Sequence, residues 1–368
     1  MPESQIQNAG TLSGAAGRKR VIYQSEALFA NQYNTATNAS HNLGRVQSIN
    51  YSFTVPRTDV NQYGTLGQIE RVITEVPTVN LDFTYHMHGI ENEKILLGTD
   101  AATGAKGFLR DINNPDSAFY EMDFKIGLTG EGVDYHTGDA PTKKGIVIEK
   151  GFLSSYSWTG SVGDVPSATV NAESTRMHVG TVSTSTNVFN PSTPVVLRPG
   201  NVSFAHKATG SEPQIAENNL PVLGFDVLHV QSFTVSIDIP RESISRLGDK
   251  FEFARVITFP MQATMSLEAI VSSQAASNLE EIVGTTGGTA PDPGYDIDIN
   301  CLRPVAGSDT KGIQLRFKNA KIEGHSISSS IGSNKSVTLD YAVQVDGGGQ
   351  PYGDSPAGFF MHEMTGTR

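Results

Sequence analysis

Two histidines offer the most obvious chemistry in the sequence. His86 and His88 are two residues apart, so they share one face of a strand. Imidazoles at this spacing could begin a zinc site, which needs three or four protein ligands. No third ligand follows nearby in the sequence, and a related stretch later in the chain carries Ile270 and Val271 instead. The pattern therefore favours a pair of exposed strand histidines over a metal centre.

The other candidate residues lack the partners that their chemistry needs. Gly284–Gly294 is rich in glycine but has no Lys-Ser or Lys-Thr of a phosphate loop. Asp296 and Asp298 alternate in one strand without the Gly and Glu of a calcium loop. Cys301, the one cysteine, lies in a strand-like run and is predicted to be a buried structural thiol. We therefore predict that the protein is not an enzyme and holds no cofactor and no metal ion.

Composition and charge narrow the class of protein further. A formal net charge of −11 argues against a protein that binds nucleic acid tightly, because binding to phosphates requires clustered Lys and Arg. It is compatible with a protein that DNA passes without binding. The single cysteine rules out an intrachain disulfide framework. No apolar run reaches the roughly 18 residues of a membrane span, and the first twenty residues have no signal-peptide core, so we expect synthesis in a reducing cytoplasm.

The elements that hold these residues are organised by an internal repeat. Val46–Thr74 and Val230–Thr258 align without gaps at an offset of 184, and 11 of the 29 positions are identical. Further on, Ser161–Ala172 aligns with Ser330–Tyr341 at an offset of 169. Conserved order with a difference in loop length predicts a duplicated domain. The predicted division is an N-terminal arm (1–43), a first copy (44–180), a linker with strand-like pieces (181–227), a second copy (228–345) and a C-terminal tail (346–368).

Alternation of polar and apolar residues predicts a mainly β protein. Val46–Val55 and Val79–Tyr85 alternate strictly, as do the matching segments of the second copy. Such strands pack one face on a core and turn the other to water, so we expect apolar residues such as Tyr51 and Phe53 to pack on the core. One short helix per copy is predicted, at Glu91–Leu97 and Asn278–Val283. The polar faces comprise Ser48, Asn50, Ser52, Thr54, Asn80, Asp82, Thr84, Ser232, Thr234, Ser236, Asp238, Thr264, Ser266 and Glu268.

Each copy also carries a long connection between its two alternating strands. We call Arg57–Arg71 arm 1 and Arg241–Arg255 arm 2; both follow a proline and precede Val-Ile-Thr. A connection of this length exceeds what a hairpin turn needs. One interpretation is a surface loop; the preferred one is an arm that contacts a neighbouring subunit. The candidate contact residues are Arg57, Asp59, Tyr63, Leu66, Arg71, Arg241, Ile244, Leu247, Phe251 and Arg255.

One run of residues carries a resemblance to a known family. A strand ending in Pro-Arg, an arm and a second alternating strand precede a strand at Gly151–Gly160, a turn at Gly163–Pro166 and a returning strand. This order resembles the tail tube proteins of tailed bacteriophages, and Arg20–Gln32 resembles their N-terminal region. The resemblance covers Val21–Glu173 and, more loosely, Val230–Val345. The second copy departs at the turn, where Ser-Asn-Lys replaces Asp-Val-Pro.

The resemblance implies two tandem β-sandwiches or partial barrels whose inner strands join those of neighbouring chains in a closed ring. Three chains would form a pseudo-hexameric ring, and rings would stack into a hollow tube that conducts DNA into the host. The implied partners are other copies of the chain and the tape-measure, terminator and baseplate proteins of the virion tail, with no membrane involved. DNA would pass through the lumen without specific binding.

The polar faces fit such a lumen, because they contain no Lys or Arg. A small, mildly acidic lining repels phosphate and gives it no cationic anchor. The hypothesis is that the fourteen polar residues line the channel; the alternative is that they form the solvent face of an ordinary sandwich. Two other functions stay open. One is a baseplate hub or tail terminator of the same fold, and the other is a cytoplasmic two-domain protein that binds a ligand or acts on carbohydrate.

Overall fold

The computed structural model describes residues 26–32, 40–87, 89, 91–97, 106–107, 121–129, 135, 142–183, 202–208, 228–248, 252, 254–271, 294–303, 310–329, 334–345 and 358–366. Within these residues the protein is mainly β, as predicted. The first half contains β1 (Glu26–Gln32), β2 (His41–Asn42), β3 (Val46–Thr54), β4 (Arg57–Val60), β5 (Glu70–Ile73), β6 (Thr78–His86), α1 (Glu91–Leu97), β7 (Lys106–Gly107), β8 (Met122–Leu128), β9 (Thr142–Ser161), β10 (Ser167–Ser174) and β11 (Arg176–Ser183). The second half contains β12 (Val202–Ala208), β13 (Leu228–Asp238), β14 (Arg241–Ile244), β15 (Ala254–Ile257), β16 (Gln262–Val271), β17 (Tyr295–Arg303), β18 (Thr310–Ser328), β19 (Ser336–Gln344) and β20 (Gly358–Gly366).

Sixteen of the described strands form one antiparallel sheet. Its main path runs β12-β17-β18-β19-β16-β13-β9-β10-β6-β3, and β1, β2, β7, β8, β11 and β20 pair beside that path. The two arms are separate hairpins, β4–β5 and β14–β15. Two described pairings connect the halves of the chain: β13 with β9 along the main path, and the two-residue β7 with β20 beside it.

The strands of the two halves pair in the same order. In the first half β1 pairs with β8, β8 with β9, β9 with β10 and β11, β10 with β6, and β6 with β3. In the second half β12 pairs with β17, β17 with β18, β18 with β19 and β20, β19 with β16, and β16 with β13. The offset between β9 and β18 is 169 residues, the same as in the sequence alignment.

A backbone detail recurs at that same offset. Lys150 in β9 and Asn319 in β18 both have left-handed φ angles, 52° and 57°, which are uncommon for residues other than glycine. The Lys150 N–H donates to Asp123 Oδ1 at 3.1 Å, and the Asn319 N–H donates to Asp296 Oδ1 at 2.9 Å. Each long strand therefore bends at one position that an aspartate of the preceding strand stabilises. From Phe152 onward β9 pairs with β10 and β13, whereas from Lys321 onward β18 pairs, within the described part of the chain, with β19 alone.

The core forms beneath the alternating strands, because their apolar side chains all point to the same side. Phe83 and Tyr85 of β6, Trp158 of β9, and Val235 of β13 are fully buried, and one continuous hydrophobic cluster includes residues from both halves. The structure differs from expectation at β3, whose Tyr51 and Phe53 are 41% and 46% exposed. They are exposed because β3 is the last strand of the path and no other described strand pairs with its outer edge.

Helix α1 occupies Glu91–Leu97, as predicted, and polar contacts attach it to the sheet. The Asn92 side chain and the backbone of Gly44 exchange two hydrogen bonds of 2.9 Å. Glu93 is buried and accepts hydrogen bonds from the hydroxyls of Tyr85 at 2.7 Å and Tyr156 at 3.3 Å. The second predicted helix, Asn278–Val283, lies outside the described residues.

Segments that the sequence assigned to an arm, a linker and a tail also contribute strands. β1 pairs with β8, β12 with β17, and β20 with β18. In β20 the apolar group Phe359, Phe360 and Met361 is buried within the chain. These strands belong to the part of the sheet that pairs with β9 and β18 at and before their bends.

Candidate functional site

The fourteen predicted polar residues lie on one continuous face of the sheet. The register places Asn50, Asp82, Asn171, Ser155 and Asp238 in one row across β3, β6, β10, β9 and β13. Asn50 donates to Asp82 at 2.7 Å, and Asn171 donates to Ser155 at 2.7 Å. The row crosses from the first half of the chain to the second without interruption.

The same face continues across the second half. The Ser232 hydroxyl donates to Glu268 at 3.2 Å, and the Ser266 hydroxyl donates to Asp340 at 2.7 Å. In the first half the hydroxyls of Ser48 and Thr84 lie 2.6 Å apart. Short polar side chains of neighbouring strands therefore form hydrogen bonds with each other on the polar side of the sheet.

Four strands of this face were missed by the sequence analysis, which singled out only β3, β6, β13 and β16. The second halves of β9 and β18, together with β10 and β19, belong to it as well. The signal was present, because their polar residues also occupy every second position. The added members are Ser155, Ser157, Thr159, Ser161, Ser167, Thr169, Asn171, Glu173, Ser326, Ser328, Ser336, Thr338 and Asp340. We call the fourteen predicted residues and these thirteen the polar face.

The charge of the polar face is entirely negative. It carries Asp82, Glu173, Asp238, Glu268 and Asp340 and contains no Lys or Arg. Among the described residues close to these strands, cations lie at both ends of the face: Arg45 and Lys335 directly precede β3 and β19 at one end, and Arg255 and Lys321 lie at the other. At this second end, Arg255 of arm 2 pairs with Glu173 at 3.2 Å, and Lys321 stands opposite Ala342 beside the bulge of β18.

The described side chains that the sequence analysis considered as metal ligands or reactive groups are buried or half-buried within the sheet. His86 is half-buried on the polar face opposite Ser167, and His88 lies outside the described residues. Asp298 is buried and accepts hydrogen bonds from Arg316 at 3.1 and 3.2 Å. Cys301 is buried, as predicted, and burial raises the pKa of its thiol. Among the described residues, no group of three or more His, Cys, Asp or Glu side chains could hold a metal ion.

The two arms differ in how they are held. In arm 1, Asp59 and Arg71 form a cross-strand ion pair at 3.1 Å, and the tip residues Tyr63 and Leu66 are fully exposed. Arg57 is exposed at the base of this hairpin. Arm 1 therefore projects from the chain with apolar residues at its end.

Arm 2 is anchored to the first half of the chain. The Arg255 guanidinium pairs with Glu252 at 2.7 Å and lies 5.6 Å from the ring centre of Phe152; the Arg241 guanidinium lies 5.0 Å from the same ring. Ile244 is 45% exposed and Leu247 fully exposed, whereas Phe251 lies outside the described residues. A cleft of about 690 Å³ separates the bases of the two arms, and no aromatic side chain lines its described walls.

Two edges of the polar-face sheet have no neighbouring strand among the described residues. β3 pairs only with β6, and the second half of β18 pairs only with β19. Sheet edges of this kind are templates for pairing with another chain. The sheet that carries the polar face therefore has eight strands and ends in an exposed edge on either side.

Comparison of the chain with protein-family models gave no match, and neither did comparison with curated proteins. No helix in the described ranges has the length and apolar character needed to cross a membrane.

Proposed function

We propose that the protein is a structural virion protein, a subunit of the tail tube of a tailed bacteriophage. The observation that carries this proposal is the polar face, which spans eight strands from both halves and carries only carboxylates as charged groups. Three chains would form a ring, rings would stack into a hollow tube, and the polar face would line its lumen. DNA would travel through this tube into the host cell.

The chemistry of the polar face suits a channel for DNA. Phosphates bind proteins through Lys and Arg, with release of counterions. A lining of Ser, Thr and Asn with scattered carboxylates offers no such cation and repels phosphate within about 8 Å at physiological salt. The hydroxyl and amide groups keep the wall hydrated. A duplex can therefore move along it without a tight binding step.

The dimensions of a three-chain ring are also suitable. Three chains with eight strands each contribute 24 strands (3 × 8). At about 4.8 Å between strands the circumference is about 115 Å, and the diameter about 37 Å before strand tilt widens it. After side chains are added, such a ring leaves room for a DNA duplex.

The repeat and the matching strand order support two tandem tube domains in each chain, each a β-sandwich or partial barrel with one short helix. A ring of three such chains would then have six similar units, which explains why a duplicated domain is useful here. The partners would be further copies of this chain and the tape-measure, terminator and baseplate proteins of the tail.

Electron microscopy of the purified protein at increasing concentration tests this function. We expect hollow rings with threefold symmetry that stack into tubes. Rings that never stack would support a terminator or a hub instead. A persistent monomer would contradict all three and would favour the two-domain ligand-binding alternative. That alternative has little to recommend it, because Trp158, the one tryptophan, is fully buried and unavailable to a sugar.

A further inference from the structure

The pairing of β13 with β9 is a junction between the two halves of the chain. Val235 stands opposite Trp158, and Ile237 stands opposite Tyr156; all four side chains are fully buried. The Ile239 N–H donates to the Ser154 carbonyl at 2.8 Å at one end of the junction. We call this pairing the internal junction.

Each strand of the internal junction has an equivalent at an open edge. The offset of 184 relates β13 to β3, and the offset of 169 relates β9 to β18. The structure supports the second relation independently, because Thr159 pairs with Ser167 just as Ser328 pairs with Ser336. The two open edges therefore correspond, through the repeat, to the two strands of the internal junction, and they lie at opposite ends of the polar-face sheet.

The positions that are buried at the internal junction are exposed at the open edges. Tyr51 and Phe53 correspond to Val235 and Ile237, and they are 41% and 46% exposed. Ile327, which is 44% exposed, corresponds to Trp158. His325, also exposed, corresponds to Tyr156. Four neighbouring core positions are thus left uncovered in a single chain.

Side-chain sizes at the two edges are complementary. At the internal junction the large residues, Trp158 and Tyr156, lie on β9 and face aliphatic residues on β13. At the open edges the aromatic residues, Tyr51 and Phe53, lie on β3, and the smaller Ile327 and His325 lie on β18. Each pairing therefore places one large residue opposite a smaller one, although the large residues have changed sides.

We propose that β3 of one chain pairs with β18 of a second copy in the register of the internal junction. This inference rests on the proposed function insofar as the pairing closes a ring. The two edges are different surfaces, so the contact is head-to-tail and can close by rotation. The opposed pairs are Asn50 with Ser328, Tyr51 with Ile327, Ser52 with Ser326, Phe53 with His325, and Thr54 with Gly324 of the second copy.

The large side chains lie on β9 at the internal junction but on β3 at the open edge, and this difference also sets the order of first and second halves around the ring. Pairing of β3 with β9 of another chain would put Tyr51 opposite Trp158, and two large side chains would compete for one space. Pairing of β13 with β18 would put Val235 opposite Ile327 and leave a cavity. Only the alternation of internal and intermolecular junctions fills the core evenly, so first and second halves must alternate.

A disulfide tests the register directly. At the internal junction the opposed pair Ile239 and Ser154 is hydrogen-bonded. Because hydrogen-bonded and non-hydrogen-bonded pairs alternate along an antiparallel ladder, Ser236 and Ser157, three positions away, form a non-hydrogen-bonded pair. We expect their Cα atoms to lie about 4.5 Å apart, which is within the range of a disulfide. Ser52 and Ser326 are the equivalent pair at the proposed junction. Ser52→Cys with Ser326→Cys should give covalent dimers and trimers on oxidation. The matched control, Ser157→Cys with Ser236→Cys, should form its disulfide within one chain.

The outcomes separate this inference from the proposed function. Tubes that form without an interchain disulfide in the Ser52→Cys, Ser326→Cys variant would overturn the junction and leave the function standing. Covalent trimers in rings that never become tubes would confirm the junction and count against the tube. Equal cross-linking of Ser52→Cys with Ser157→Cys, which places β3 beside β9, would overturn the predicted alternation.

Discussion

Trp158 and Val235 lie directly opposite each other where the two halves of the chain join, and both side chains are completely buried. Their equivalents, Ile327 and Tyr51, lie at opposite edges of the eight-stranded polar-face sheet and are 44% and 41% exposed. One pair of positions therefore exists in two states within a single chain, joined and open. The first two predictions follow from this contrast.

Truncation at the two equivalent positions should have opposite consequences. Trp158→Ala should lower the free energy of unfolding of the single chain by about 3–5 kcal/mol, because it opens a cavity in the core. Ile327→Ala should change that free energy by less than about 0.5 kcal/mol, since the side chain is exposed in the monomer. It should instead raise the concentration at which oligomers form. Denaturation of dilute protein and sedimentation at several concentrations measure the two effects; a large unfolding effect of Ile327→Ala would contradict the open edge.

Charged substitutions at the edges should block assembly one side at a time. Tyr51→Asp should disable the β3 edge and Ile327→Asp the β18 edge, because each buries a carboxylate in the proposed junction. Each variant alone should be monomeric by light scattering. An equimolar mixture should form a 1:1 dimer, since one intact junction remains between the unlike chains. The control Val179→Asp, at an exposed position of β11, should assemble normally; a mixture that stays monomeric would argue against head-to-tail pairing.

Cations on the polar face should convert a passive wall into a DNA-binding one. Thr234→Lys with Thr264→Lys places two exposed ammonium groups per chain on that face. Assembled variant protein should bind short duplex DNA, with affinity falling as salt rises by a slope of about −0.9 per phosphate contacted. The bound DNA should resist nuclease if the face lines a lumen. Wild-type protein and a Val179→Lys control should show neither property, and digestion of the bound DNA would place the polar face outside.

The stability of the region around helix α1 should depend on the buried carboxylate of Glu93. Burial, followed by the nearby Glu93 carboxylate, raises the pKa of the Tyr85 hydroxyl and of the Tyr156 hydroxyl, so both remain protonated donors at neutral pH. Glu93→Ala leaves both hydroxyls without this acceptor and should cost about 1–3 kcal/mol of stability. Glu93→Gln keeps an acceptor and should cost less. Denaturant unfolding of the two variants decides whether the hydrogen bonds or the helix contacts stabilise this region.

The thiol of Cys301 should be unreactive in the folded protein. Burial raises the pKa of the Cys301 thiol, so little thiolate forms at neutral pH and no reagent reaches it. A thiol reagent should label Cys301 only after denaturation, as measured by mass spectrometry. Labelling of the native protein would show that β17 opens, and the cross-linking variants would then need Cys301→Ala in their background.

Much of the fold could be predicted from local patterns. Alternation in Val46–Val55 and Val79–Tyr85 identified strands and correctly assigned their polar side, because side chains on a strand have a period of two. Glu91–Leu97 is helical as predicted, and Cys301 is buried. The same alternation is present in β9 and β10, but their contribution to the polar face depends on which strands they pair with.

The sequence by itself determined that the chain repeats, that it is mainly β, and which side of each alternating strand is polar, because repeats and side-chain alternation are local properties. Only the tertiary structure decided that β13 joins β9, while β3 and the second half of β18 form edges with no further partner among the described strands. Strand partners are chosen by contacts between residues far apart in the chain, and no local pattern encodes them. Tyr51 and Val235 occupy matching places in the repeat, and one is exposed while the other is buried because their strands have different neighbours.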